Sequence, residues 1–237
     1  MKLLALDTAS GLCSVALWVD DQVAVREVAT ARDHARLVLP MVQSLLAEAG
    51  LALTGLNAIA FGRGPGSFTG LRVAAGLTQG LAFGADLPVL PVSDLRALAQ
   101  QAVTALAPAA PGLPVLACLD ARMQEVYWGL FAVPVAGAVV ADAPEQVCGP
   151  AQLAGRLGDA ALGSRQWFGA GLGLPVWQAA ADTPPLDPVR LLTQAEPRAR
   201  EIALLGAADL AAGLAQPPEA AVPVYLRDDV ARPSMPS

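Results

Sequence analysis

The chain opens on a continuous apolar run, Leu3 to Leu6, that closes on Asp7-Thr8-Ala9-Ser10-Gly11. Such a run bounded by turn residues predicts a buried strand. Cys13 to Trp18 resumes as strand, Asp20-Asp21 marks a turn, and Val23 to Val28 alternates weakly as a third strand. Three strands joined by tight turns predict an antiparallel meander. The period then changes. From His34 to Ala49 the apolar positions recur at helical spacing, with Asp33 as the expected N-cap and Gly50 as the C′ residue. Pro40 lies inside this helix and is expected to kink it or free one carbonyl. Its apolar positions, Leu37 to Leu39, Met41, Val42, Leu45, Leu46 and Ala49, cover roughly 200°, about twice one core stripe. That width fits either a helix sandwiched between internal elements or one shared with a partner chain.

Asn57 to Phe61 predicts the next strand, followed by Gly62-Arg-Gly-Pro-Gly66-Ser-Phe-Thr-Gly70 and a helix that Ser67 can cap and that ends near Gly84. Gly76, Gly80 and Gly84 recur every four residues on one face of that helix. Interior helix glycines cost about 1 kcal/mol each relative to Ala, so the stripe implies close approach of another backbone, from this chain's own sheet or from another chain. Leu87 to Val92 reads as strand, and Ser93-Asp94 starts a helix to about Leu106. The Pro108 to Pro114 stretch marks a lobe boundary, dividing the chain into 1–107 and 108–237. Beyond it Val115 to Leu119 and Glu125 to Phe131 pair as strands, with further strand to about Val140. Pro144 to Asp187 reads as loop-rich with one short helix at Ala151 to Leu157 and a strand near Gln166 to Gly169. Pro188 to Leu192 and Ile202 to Gly213 read as helical, Val222 to Val230 as an extended segment across the body, and the last seven residues as disordered. Each half begins with an apolar strand ending in aspartate, Leu6-Asp7 and Leu119-Asp120, which suggests two related lobes.

Composition sharpens this. With 54% hydrophobic and 15% charged residues, the chain has more apolar side chains than one core needs, which implies a subunit contact. A net charge of −6 argues against extensive direct contact with a phosphate backbone. Asp7 interrupts the opening apolar run, no signal-peptide pattern follows, and no run reaches a membrane-spanning length. Three scattered cysteines, Cys13, Cys118 and Cys148, fit buried thiols in a cytoplasmic location.

Chemistry is constrained by what is scarce. His34 is the single histidine, so histidine-rich metal sites and a Ser-His-Asp triad lack their parts. Ser67 lacks nucleophile-elbow spacing. The glycine loop has no Walker lysine; it is either a tight turn or an anion cradle with Arg63 nearby. Asp7 either holds a hydrated Mg²⁺ beside a nucleotide or bonds its own turn's amides. Asp7 and Arg63 are thus the weak candidates for a nucleotide contact. Asp120-Ala-Arg122, Glu125 and Tyr127 predict an internal ion pair or a substrate contact. A kinase reading would need Asp7 and a second phosphate loop at Gly169 to Gly173.

Four blocks in order, Asp7-Thr-Ala-Ser10, Gly62 to Gly70, Asp120-Ala-Arg-Met-Gln-Glu-Val-Tyr-Trp128 and Pro223-Val-Tyr-Leu-Arg227, resemble the TsaB family, also called YeaZ, from end to end. The resemblance implies an α/β, two-lobed actin/Hsp70/hexokinase-like (ribonuclease H-like) fold. It further implies a non-catalytic scaffold subunit without cofactor that binds and activates TsaD in forming N6-threonylcarbamoyladenosine at position 37 of tRNAs reading codons that start with A. The implied partners are TsaD, the ATPase TsaE binding the pair, a second copy when alone, and tRNA only through the complex. TsaD carries a metal on a His-x-x-x-His motif; the aligned positions here are Asp94 and Leu98. Ala9 replaces the glycine of the wider superfamily's nucleotide turn, which argues against an ATP site. Family pairing runs through the first lobe's helices, which places His34, Leu37, Val38, Met41, Leu45, Leu71, Gly76, Leu77 and Gly80 at a partner interface.

Overall fold

The computed structural model describes residues 1–30, 32–106, 112–134, 138–159, 166–180 and 190–227. Strands β1 (Lys2–Asp7), β2 (Leu12–Val19) and β3 (Gln22–Ala29) form the expected meander, followed by α1 (His34–Glu48), β4 (Ala58–Gly62), α2 (Phe68–Ala85) and β5 (Val89–Val92). The strands make one sheet in the order β3-β2-β1-β4-β5. β4 runs parallel to both β1 and β5, with Leu4 opposite Ile59. After α3 (Asp94–Leu106) the plan repeats. β6 (Val115–Asp120), β7 (Val126–Ala132), β8 (Val140–Ala141), β9 (Gln146–Cys148), α4 (Pro150–Asp159), β10 (Phe168–Ala170), α5 (Gly173–Ala180) and β11 (Arg190–Leu192) precede α6 (Ala199–Ala211). The second sheet runs β11-β10-β6-β7-β8, with β9 also on β7. In both sheets a six-residue strand ending in aspartate pairs antiparallel with its successor and parallel with a later strand. This repeated plan is the two-lobed, ribonuclease H-like α/β fold.

Alternation along the central strands sets the layering. Leu4 and Leu6 face a core shared with Val38, Met41, Val42, Leu45, Ala75 and Ala82 of α1 and α2. Leu3 and Ala5 face the opposite way, into a core with α3, α6 and the inward residues Val115, Ala117 and Leu119 of β6. Leu116 and Cys118 face outward onto Leu153, Leu157, Leu174 and Trp177 of α4 and α5. The order is helices, sheet, helices, sheet, helices. α6 follows the second sheet in sequence yet lies on the first: a Cβ on Gly206 would sit 2.8 Å from the Ala60 Cβ. Arg96 of α3 joins Asp209 of α6 at 2.7 Å and donates to the Val139 carbonyl at 2.8 Å. The expected division at 107/108 falls on residues outside those described.

Several expectations need correction. Arg190–Leu192 is a strand, not helix, because parallel pairing with Phe168–Ala170 overrides a run too short to carry a period; residues 188 and 189 lie outside the described set. The loop-rich segment holds β9 and α5, both unforeseen. Asp33 occupies the N-cap of α1 but makes no capping hydrogen bond; its carboxylate instead lies 3.7 Å from Arg36. Pro40 is exposed within an uninterrupted α1, so solvent can serve the carbonyl it frees. Ser67 does cap α2, accepting from the Gly70 N–H, and Asp86 ends it in the left-handed conformation. Residues 228–237 lie outside the described set.

Candidate functional site: the interlobe cleft and the outer helix face

A cleft of about 690 Å³ opens between the lobes. Its walls bring together the β1–β2 turn, His34 and the Gly66 to Phe68 corner from the first lobe. The second lobe contributes Leu119 to Arg122, Tyr127, Leu172 and Glu196, and the C-terminal segment adds Tyr225 and Arg227. Asp7 and Arg63 are not among the lining residues.

The two aspartates that end β1 and β6 act alike. Asp7 Oδ1 accepts the Ala9 N–H at 2.7 Å, and Asp120 Oδ1 accepts the Arg122 N–H at 2.8 Å. Asp7 thus bonds its own turn, as an Asx turn does. The rest of that turn is also engaged. Ser10 Oγ accepts the Leu12 N–H at 3.2 Å, Glu196 accepts the Gly11 N–H at 2.9 Å, and the Ala9 carbonyl accepts the Ser67 N–H at 2.7 Å. A Cβ on Gly66 would lie 2.8 Å from the Ala9 Cβ, so the turn and the glycine loop are in close contact.

Beneath this corner Asp7 and Asp94 are both fully buried. Their carboxyls converge on Gly62, where a Cβ would meet Asp94 Oδ1 at 2.5 Å and Asp7 Oδ1 at 3.0 Å. Asp94 Oδ2 accepts the Gly64 N–H at 2.5 Å and so fixes the glycine loop. Burial raises the Asp7 carboxyl to about 6, and burial together with the neighbouring Asp7 raises Asp94 well above the usual carboxylate range. Arg63 turns to Glu145 of the second lobe at 3.4 Å, and Ser93 Oγ donates to the same carboxylate.

The C-terminal segment straps the cleft. Val224 N–H donates to the Arg63 carbonyl at 2.7 Å, and Tyr225 packs on Phe68 with ring centroids 5.3 Å apart. The Arg72 guanidinium stacks 3.9 Å over Phe68 and donates to the Tyr225 hydroxyl. Arg227 reaches Glu125 and the Arg122 carbonyl. The loop it clamps holds three consecutive non-glycine residues, Arg122, Met123 and Gln124, in the left-handed region at φ 60°, 53° and 58°. The expected Asp120–Arg122 pair forms at 3.0 Å. Nothing near Glu125 in the sequence signals its partner Arg227, 102 positions away.

On the outer face the expected partner residues separate into two groups. Val38, Met41, Leu45 and Leu71 are buried in the chain's own core, because a helix on a sheet must bury one stripe. His34 lines the cleft with 8% exposure. Leu37 and Leu77 are half-buried, and Gly76, Gly80 and Gly84 are exposed, with nothing within 4 Å of an added Cβ. The glycine stripe does not pack on the chain's own sheet. Phe83, 60% exposed, continues its face, and Leu39 is exposed on α1. Sequence reasoning missed Phe83, although its place three residues after Gly80 puts it on that stripe.

Among the described residues no group of three or more His, Cys, Asp or Glu side chains converges, and all three cysteines are free and buried. No helix among them is long and apolar enough to cross a membrane.

Residues 27–234 match the family model described as "TsaD: tRNA N6-adenosine threonylcarbamoyltransferase". The chain is 39% identical over 239 residues to the tRNA threonylcarbamoyladenosine biosynthesis protein TsaB of Escherichia coli, covering 100% of this chain and 99% of that one. It is 47% identical over 168 residues to the TsaB of Haemophilus influenzae, covering 66% and 68%. The solved structure of YeaZ from Pseudomonas aeruginosa superposes with a TM-score of 0.83 at 40% identity, covering 95% of this chain and 100% of that one. Repeated lobes, the glycine corner and end-to-end similarity agree, and the chain belongs to the TsaB (YeaZ) family.

Proposed function

We propose that this chain is a non-catalytic scaffold subunit in N6-threonylcarbamoyladenosine formation at position 37 of tRNAs reading codons that start with A, and that it binds and activates TsaD. The observation that carries the reading is the open glycine face of α2. Gly76 and Gly80 carry the helix-propensity cost of glycine with no intrachain contact in return, and exposed Phe83 lies beside them. A facing helix that brings its backbone close would use all three. Leu37, Leu39 and Leu77 extend that surface, and roughly 1,500 Å² of total buried area is typical of a specific complex. The same face would serve a homodimer when the chain is alone. TsaE would bind the TsaB–TsaD pair, and tRNA would engage only through the complex, in keeping with the net charge of −6. The buried free thiols suit a cytoplasmic location.

The reading is tested by reconstituting threonylcarbamoylation from TsaC, TsaD and TsaE with and without this chain. A strong drop in tRNA modification without it is expected; undiminished modification would remove the proposal. Gly80→Leu, which blocks the face and leaves the core alone, should abolish co-elution with TsaD.

A further inference from the structure

We infer, resting on the scaffold reading, that Arg72 anchors the outer face of α2 and takes a carboxylate from the protein that covers it. Phe68, Arg72, Gly76, Gly80 and Gly84 follow one another at intervals of four along α2, and all five are exposed. Positions spaced by four form one ridge of a helix surface. The first two carry large side chains and the last three carry none, so the row drops from a shoulder into a flat groove. A helix laid in that groove meets the Arg72 shoulder at one end.

Arg72 is already posed for that contact. Its guanidinium stacks 3.9 Å over the Phe68 ring, and its Nε–H donates to the Tyr225 hydroxyl at 3.2 Å. Tyr225 packs on Phe68 in turn, with ring centroids 5.3 Å apart. The strap holds Tyr225 from both sides: the Val224 N–H donates to the Arg63 carbonyl at 2.7 Å, and Arg227 pairs with Glu125 of the second lobe. An exposed arginine ordinarily loses rotamer freedom when it binds. Here the guanidinium plane and Nε are fixed beforehand, and the two terminal nitrogens have no acceptor among the described residues.

The unspent fork matches a carboxylate or a phosphate, either of which accepts two parallel N–H···O bonds from it. The surroundings favour the carboxylate of a protein. Arg72 keeps its charge without an acidic partner among the described residues, in a chain with 21 acidic residues against 15 Lys and Arg. A net charge of −6 disfavours a polyanion. The rest of the ridge is glycine and an aromatic ring, which suits a packed helix rather than a sugar-phosphate backbone. Phe68 and Tyr225, 43% and 41% exposed, flank the guanidinium, and Arg beside aromatic rings is where interface energy concentrates. The matching partner is a helix that lays a small or apolar seam on the glycines and presents an Asp or Glu at the Arg72 end.

Calorimetry of the full chain with TsaD, at concentrations where the free chain is monomeric, is the test. Arg72→Gln should weaken binding at least about tenfold, as loss of a charge-assisted hydrogen bond does, and should flatten the salt dependence of the affinity. Arg72→Lys keeps the charge without the fork and should recover only part of the loss. Tyr225 is a positioning residue: Tyr225→Phe keeps the ring, drops the hydroxyl, and should weaken the wild type but add nothing in the Arg72→Gln background. TsaD binding that Gly80→Leu abolishes and Arg72→Gln leaves unchanged would overturn the inference and spare the scaffold reading. No TsaD binding by the wild type would remove both. Unchanged TsaD affinity with weaker tRNA binding by the assembled complex would assign the fork to a phosphate and equally overturn the inference.

Discussion

Asp7 and Asp94, 87 positions apart by their numbers, bring their carboxyls together on the bare backbone face of Gly62. One oxygen of each, Asp7 Oδ2 and Asp94 Oδ1, has no other partner among the described residues. Two buried carboxyls at such proximity cannot both ionise cheaply, so the pair keeps a proton that neither side chain would hold in water.

The sign of the resulting pH dependence follows. Both groups have folded-state values raised above the unfolded ones, so their contribution is fully present below the unfolded carboxylate range and is lost as pH rises. For Asp7 the window runs from 3.8 to about 6, and Asp94 extends it upward. At about 1.4 kcal/mol per pH unit, the Asp7 part is on the order of 3 kcal/mol. Urea unfolding from pH 4.5 to 8 should therefore show the wild type losing stability relative to Asp94→Asn, whose amide can donate to an ionised Asp7. Parallel curves would show that the pair shares no proton.

The glycines of α2 and α6 predict opposite outcomes for one chemical change. Gly80→Ala adds a methyl group in open space and should stabilise the dilute monomer by about 1 kcal/mol through helix propensity. Gly206→Ala places its Cβ 2.8 Å from the Ala60 Cβ and should cost about 1–3 kcal/mol through overpacking of α6 on the first sheet. Thermal unfolding of both variants decides. If Gly80→Ala destabilises the chain at concentrations where it is monomeric, the stripe is packed in the monomer and the proposed interface loses its support.

The first sheet was legible because its strands are short apolar runs bounded by turn residues, and the echo of Leu6-Asp7 in Leu119-Asp120 foretold a second lobe of like topology. Burial of Val38 and Leu45 separates them from Gly76 and Gly80, yet all lie on apolar or small-residue helix faces that sequence alone treats alike. What sequence could not supply is held by distant pairs. Glu196 to the Gly11 backbone N–H, Arg227 to Glu125 and Asp94 to Asp7 join groups whose separation leaves no local pattern. The strand Arg190–Leu192 escapes sequence reasoning for the same reason: among the described residues it is set by parallel pairing with Phe168–Ala170, a neighbour in space.

Arg227 ties the C-terminal segment to the β6–β7 loop by a charge pair with Glu125 and a bond to the Arg122 carbonyl. Arg227→Ala should loosen that loop more than it lowers global stability, because Glu125 is partly solvated and exposed pairs contribute little to the whole. Native-state hydrogen exchange reads this directly. The Ala121 and Glu125 amides, bonded to Glu125 and Arg122 carbonyls at 3.0 Å, should exchange about tenfold faster, with core amides of β6 unchanged. Uniform acceleration would mean that the strap supports the whole fold.

The same loop makes the sharpest claim about strain. Three adjacent non-glycine residues in the left-handed region cost about 1–2 kcal/mol each. Met123 sits at the centre of the three, 71% exposed, so its side chain recovers little of that cost by burial. Met123→Gly removes the steric penalty but enlarges the freedom of the unfolded chain by about 0.4–1 kcal/mol. The balance favours the variant by up to about 1.6 kcal/mol, a sign opposite to that expected for glycine in an ordinary loop. Gln124→Gly should behave alike, whereas Arg122→Gly also loses the pair with Asp120 and should gain less. Chemical denaturation of the three variants checks the order. If Met123→Gly destabilises the chain, the loop is relaxed; if it stabilises the free chain, the exposed methionine and arginine are being held in place at an energetic cost, as residues that meet something outside the monomer are.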